Sequence, residues 1–265
     1  MKWSIRGAQA SWISAFTPLA AVAVLAMASS ASEAGDYKVV DVKYGGTIAG
    51  VIKFENDYPS RETVKVDRDP ATCGTRHVLE EFVVDPETKG LKNVVTILLG
   101  VDSGKGFSES WKLEINQEGC RYLPHVQVGF MTPKAKITQE SQSGIALHIV
   151  NSDDVFHNVH MFGMNEETMF NIPSLPGDSS VKLLPESGIY EIKCDMHTWM
   201  SAWVLVLDHP YVAISGADGT FKIENVPPGE YKLSMWHEGL GSVERDVVVK
   251  ANQETSVDFV IGEEE

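Results

Sequence analysis

Apolar and polar positions alternate at a period of two through one short segment after another, with Gly, Pro, Asn and Asp clustered between the segments. In Gly46 to Phe54, the residues Ile48, Ile52 and Phe54 fall on one face, and Asn56-Asp57-Tyr58-Pro59 ends the run. Asn93 to Leu99 is apolar and β-branched, which suits a buried strand. Ile145, Leu147 and Ile149 alternate with Ala146, His148 and Val150, while Tyr190, Ile192 and Cys194 share a face. Trp203 to Leu207 is apolar on both faces, and so predicts a strand covered on each side. No stretch carries a sustained helical period with caps, and the predicted class is all-β.

The first residues depart from this pattern. Lys2 and Arg6 make a basic start, Leu19 to Met27 an apolar core, and Ala26-Met27-Ala28 and Ser32-Glu33-Ala34 offer small residues, so residues 1–34 read as an export signal cleaved between Ala28 and Gly35. The apolar stretch after Pro18 is about half of the roughly 20 residues a spanning helix needs, and nothing later is long and apolar enough to span. The expectation is a periplasmic or secreted protein with no membrane span. Its 265 residues carry a formal charge of -15, and removal of Lys2, Arg6 and Glu33 with the signal leaves -16. That balance argues against nucleic acid as a partner. It would steer a basic docking partner, although solubility alone accounts for it equally well.

Chemistry concentrates in Cys194-Asp195-Met196-His197-Thr198-Trp199-Met200, with His157 upstream in Asn151-Ser152-Asp153-Asp154-Val155-Phe156-His157-Asn158. One Cys sulfur and two His nitrogens in a trigonal plane, with a weak axial Met, hold copper in a shape acceptable to both oxidation states. With 3 Cys, 8 His and 9 Met in 265 residues, chance supplies about 0.003 matches to C-x2-H-x2-M, so the spacing is a specific signal. The loop and the upstream His-Asn segment resemble those of the cupredoxins, the plastocyanin and amicyanin family, and the short spacing is amicyanin-like. The resemblance implies a Greek-key β-sandwich holding one type 1 copper ion, with His157, Cys194 and His197 as equatorial ligands, Met200 as the axial one and Asn158 bracing the Cys loop. Two residues depart from the family pattern: Met196 stands where many members carry Pro, and Trp199 makes the loop bulky. The edge of His197 is the expected electron exit.

Three cysteines in an oxidising compartment leave one unpaired. Ligation accounts for Cys194, and Cys73 with Cys120 would then form a disulfide; the other reading keeps both as thiols of a second copper site. His160 follows His157 by three residues and points to the opposite face of a continuous strand, which favours a surface histidine over a ligand. His125, in Tyr122-Leu123-Pro124-His125-Val126, is a candidate for a second site or for support of the first. His77 and His237 are weaker candidates, and Met161, Met164 and Met169 are either a soft cuprous site or flexible core filler. No His-x-His pair and no His beside Cys194 offers a relay to another copper. With no nucleophile elbow and no H-E-x-x-H either, no enzyme activity is expected.

Beyond His209-Pro210, alternating segments surround Pro227-Pro228-Gly229 between Ala217 and Leu233. They resemble the carboxypeptidase regulatory-like module, a small transthyretin-like β-sandwich. Residues 213–265 are too few for a sizeable core, and Gly45-Gly46-Thr47-Ile48-Ala49-Gly50-Val51 looks like the missing start. The expected organisation is therefore an N-terminal β region over 35–118 that pairs with a C-terminal module over 213–265, and a cupredoxin domain over 119–212 inserted between them. Three functions compete: a carrier of single electrons, a periplasmic carrier or sensor of cuprous ion without redox turnover, and an adhesion or glycan-binding protein with a vestigial motif.

Overall fold

Strands with one apolar face are stable when two sheets close those faces on each other, and this chain does so twice. The computed structural model describes residues 37–56, 62–108, 112–131 and 144–262, and residues 1–34, expected to be an export signal, lie outside the described residues. In the first sandwich, one sheet orders Ser179–Leu184, Ile145–Asn151, Leu113–Gln117 and Tyr122–Leu123. The other orders Thr168–Ser174, His157–Phe162, Gly188–Lys193, Ser201–Leu207 and Val126–Phe130. The chain crosses repeatedly between the sheets, which sets parallel pairs (Leu147 opposite Leu113, Trp203 opposite Val126) among antiparallel ones. Ile115, Leu147, Ile149, Val159, Ile192 and Val204 fill the space between them. Because Leu113 and Ile115 alternate into this same core, the sandwich begins before residue 119, where the sequence had set its boundary.

The second sandwich is discontinuous. One sheet orders Val212–Ile214, Val95–Leu99, Gly229–His237 and Gly241–Val249. In the other, Gly46–Phe54 lies between Thr220–Val226, which it pairs antiparallel with Ile48 opposite Ile223, and the parallel strands Glu254–Ser256 and Phe259–Ile261. The N-terminal strands thus complete the C-terminal sheets. At Gly50 a Cβ would stand 1.9 Å from the Val257 carbonyl oxygen, so the close approach requires glycine.

Strand Ser201–Leu207 joins the two sandwiches. Ala202, Val204 and Val206 enter the first core, while Leu205 packs on the other side with Val95, Val126, Val128, Phe130 and Trp236. Trp203 meets Trp236 edge to face at 5.3 Å between ring centroids. A final excursion leaves the second sandwich: Thr63–Lys65 pairs with Arg76–Val78, and between them sits the one helix among the described residues, Pro70–Cys73. Cys73 is joined to Cys120 by a disulfide, which fastens this excursion to the first sandwich.

Candidate metal centre

Lys193 pairs with Ser201, so Cys194 to Met200 is the connection between two adjacent strands. The Met200 N–H donates to the His197 carbonyl at 2.9 Å and the Cys194 N–H to the Met200 carbonyl at 3.3 Å, which folds the loop back on its own start. His157 opens the neighbouring strand, and the register that sets His160 opposite Lys193 brings it to the same end of the sheet. The Nδ1 atoms of His157 and His197 are 3.0 Å apart, and Cys194 Sγ lies 3.7 Å from His197 Nδ1. The donor atoms of all three residues fall within 4.8 Å of one another. Both imidazoles are 0% exposed and Cys194 is 3% exposed. Met200 is buried in the same apolar cluster.

Each distal imidazole nitrogen meets a carboxylate. His157 Nε2 is 2.9 Å from Asp153 Oδ2, and His197 Nε2 is 3.0 Å from Asp69 Oδ2. A carboxylate accepts only, so these contacts place the proton on Nε2 and turn both Nδ1 lone pairs toward the thiol. Asp153 is itself held by the N–H groups of Gly119 (2.6 Å) and Cys120 (2.8 Å). Asp69 precedes the short helix in a left-handed conformation (φ 49°) that Asp tolerates, and its side chain does not cap that helix. Burial opposes ionisation of Cys194, but the adjoining imidazoles of His157 and His197, joined by the backbone at Asn158 and His197, outweigh it and lower the thiol to about 6. Burial likewise opposes charge on His197, and Cys194 and Asp69 outweigh it to raise that imidazole.

Asn158 ties the loop down: its Oδ1 accepts the Asp195 N–H at 2.8 Å and the Cys194 thiol at 3.3 Å. His160 bonds Asp195 and Thr168 on the outer side of the sheet, away from the three converging donors. His125 is directed away as well, with Nδ1 on the Ser201 carbonyl (3.0 Å) and Nε2 on Glu238 of the second sandwich. His77 bonds the Cys73 carbonyl and stacks on Trp199 at 5.3 Å, while His237 is buried beside Phe82. Met161 fills the first core, and Met164 and Met169 are exposed. His197, whose edge is the expected electron exit, is buried, with Asp69 and Trp199 against the ring. Asp153 and Asp69 were missed by sequence reasoning. Asp153 sits four residues before His157 without a motif of its own, and Asp69-Pro70 signals only a helix start.

A soft sulfur, two nitrogens with inward lone pairs and a dry apolar surround fit copper. The 3.0 Å and 3.7 Å separations suit donors that share one ion at about 2.0 to 2.3 Å each. Residues 201–262 match the carboxypeptidase regulatory-like domain, a match whose first residues belong to the strand shared by both sandwiches. A comparison with curated proteins gives no match. Similar solved structures include a purple cupredoxin from Nitrosopumilus maritimus, 22% identical over 36% of this chain and 99% of that one, with a TM-score of 0.29. Amicyanin from Paracoccus versutus (Thiobacillus versutus) is 19% identical over 37% of this chain and 84% of its own, with a TM-score of 0.28. A copper-containing nitrite reductase from Thermus scotoductus SA-01 is 17% identical over 41% of this chain and 25% of its own, with a TM-score of 0.29.

Proposed function

We propose that this protein is an exported, non-catalytic carrier of single electrons that holds one type 1 copper ion on His157, Cys194 and His197, with Met200 as the axial donor. The observation that carries the reading is the convergence of a buried thiol with two carboxylate-held imidazoles. Copper would supply the one-electron couple. The chain supplies rigid placement: Asp153 and Asp69 fix both rings, Asn158 fixes the Cys loop, and the apolar core around Cys194 and Met200 excludes water. Donors held this firmly suit both oxidation states and keep reorganisation small. The acidic surface selects a basic redox partner such as a cytochrome or an oxidoreductase, and the export signal sets the meeting place in the periplasm or outside the cell.

A second reading draws support from the burial of His197. A ring sealed under Asp69 and Trp199 also suits a carrier or sensor that holds cuprous ion without turning it over. One set of measurements separates the readings. Mature protein loaded with cupric ion is expected to show an intense visible thiolate-to-copper band that Cys194→Ser removes, together with a reversible potential and fast self-exchange. Very tight cuprous binding with release to a partner and no reversible couple would favour the carrier. No copper uptake by the wild type would defeat both.

A further inference from the structure

His157 Nε2 meets Asp153, which accepts the N–H of Cys120; Cys120 is bonded to Cys73; Cys73 ends the helix that Asp69 introduces; and Asp69 meets His197 Nε2. The supports of the two imidazoles are therefore one closed circuit through a disulfide. Its outer part comes from the excursion Thr63–Val78, whose strands pair only with each other, and Asp69 lies 128 residues before His197 in sequence. Further contacts seat this excursion on the same loops. Thr72 donates to Asp154 at 2.6 Å, Arg68 approaches the Met196 sulfur at 3.6 Å, and His77 stacks on Trp199, whose indole N–H donates to the Cys120 carbonyl at 3.1 Å.

We propose that Asp69 is a positioning residue for His197, supplied by the excursion Thr63–Val78, and that the Cys73–Cys120 disulfide holds Asp69 and Asp153 in a single frame. The proposal rests on the copper reading above for its purpose, but not for its geometry. Asp69 accepts a hydrogen bond from the Nε2–H, so the Nδ1 lone pair faces Cys194 before any ion arrives. It also occupies the side of the ring from which solvent or an outside ligand would approach. Asp153 does the same for His157 from within the first sandwich.

Two readouts test this, and one of them needs no copper. In copper-free wild-type protein at alkaline pH, long-range proton–nitrogen correlation spectra should show His157 and His197 each as the single tautomer protonated at Nε2. Asp69→Ala should give His197 a mixture of tautomers and leave His157 unchanged. Asp69→Asn, whose amide oxygen accepts the same hydrogen bond, should keep the wild-type pattern. Competition with a cuprous chelator should show Asp69→Ala losing copper affinity about 10- to 100-fold, Asp69→Asn close to wild type, and a Cys73→Ser, Cys120→Ser double variant shifted in the direction of Asp69→Ala. Wild-type His197 protonated at Nδ1 would overturn the proposal whether or not any variant folds. So would a folded Asp69→Ala protein with wild-type tautomer and affinity. A wild type that shows the Nε2 tautomers yet takes up no copper would instead remove the electron-carrier reading and leave the positioning role standing.

Discussion

His125 and Glu238 form a buried pair across the two sandwiches, and Glu238 also accepts the Trp203 indole N–H at 2.8 Å. Burial opposes charge on both, yet hydrogen bonding and attraction to its partner raise His125 and lower Glu238. A raised histidine contributes stability in full below its unfolded value and loses it as pH rises through the folded one; a lowered glutamate contributes above its unfolded value and loses it as pH falls. Glu238→Gln should therefore cost most, about 1.5–3 kcal/mol, between roughly pH 4.5 and 6.5, where both partners are ionised folded or unfolded. The difference from wild type should narrow as the pH climbs past the raised value of His125. Melting curves across that range check it, and a difference equal at every pH would refute it. Residues were unevenly legible at this scale. Cys194 and His197 announce themselves by spacing, because one loop carries both. Asp69 and Asp153 carry no such signal, since a carboxylate's partner is set by tertiary approach and not by its neighbours in sequence.

Several strands with one buried face were legible: Ile48, Ile52 and Phe54 line one side of Gly46–Phe54, and Leu147 and Ile149 one side of Ile145–Asn151. The helix Pro70–Cys73 was not, because a single turn is too short to display a period. Yet that turn carries the cysteine that anchors the excursion. The pairing of the chain's two ends could be read only from the likeness of Gly45–Val51 to a module's start. What enforces it is backbone approach: Val51 donates its N–H to the Asp258 carboxylate at 2.9 Å, and Val257 to the Ala49 carbonyl at 2.9 Å. Gly50→Ala, which drives a methyl group into the Val257 carbonyl, should destabilise the protein by about 1–3 kcal/mol. Hydrogen exchange should locate the loss in Gly46–Phe54 and its parallel partners. Unchanged protection there would count against so tight an approach.

The two sandwiches share a third apolar cluster, built on the outer face of Val126–Phe130 and Ser201–Leu207 and on Val95 and Trp236 of the second sandwich. Trp203 to Leu207 foretold a strand covered twice, but not what covers it, because apolar composition names no partner. Leu205 is 0% exposed and belongs wholly to this cluster. Leu205→Ala should cost about 2–5 kcal/mol and lower the melting of both sandwiches together. Calorimetry checks this: two transitions in which only one moves would mean that the cluster does not couple them.

The threading of the second sandwich also orders events during synthesis. Gly46–Phe54 leaves the ribosome early, whereas its sheet neighbours Thr220–Val226, Glu254–Ser256 and Phe259–Ile261 arrive near the end. In between, every described strand of the first sandwich emerges. The early strand therefore has none of these sheet neighbours until the first sandwich has been synthesised in full, and the second can close only after that.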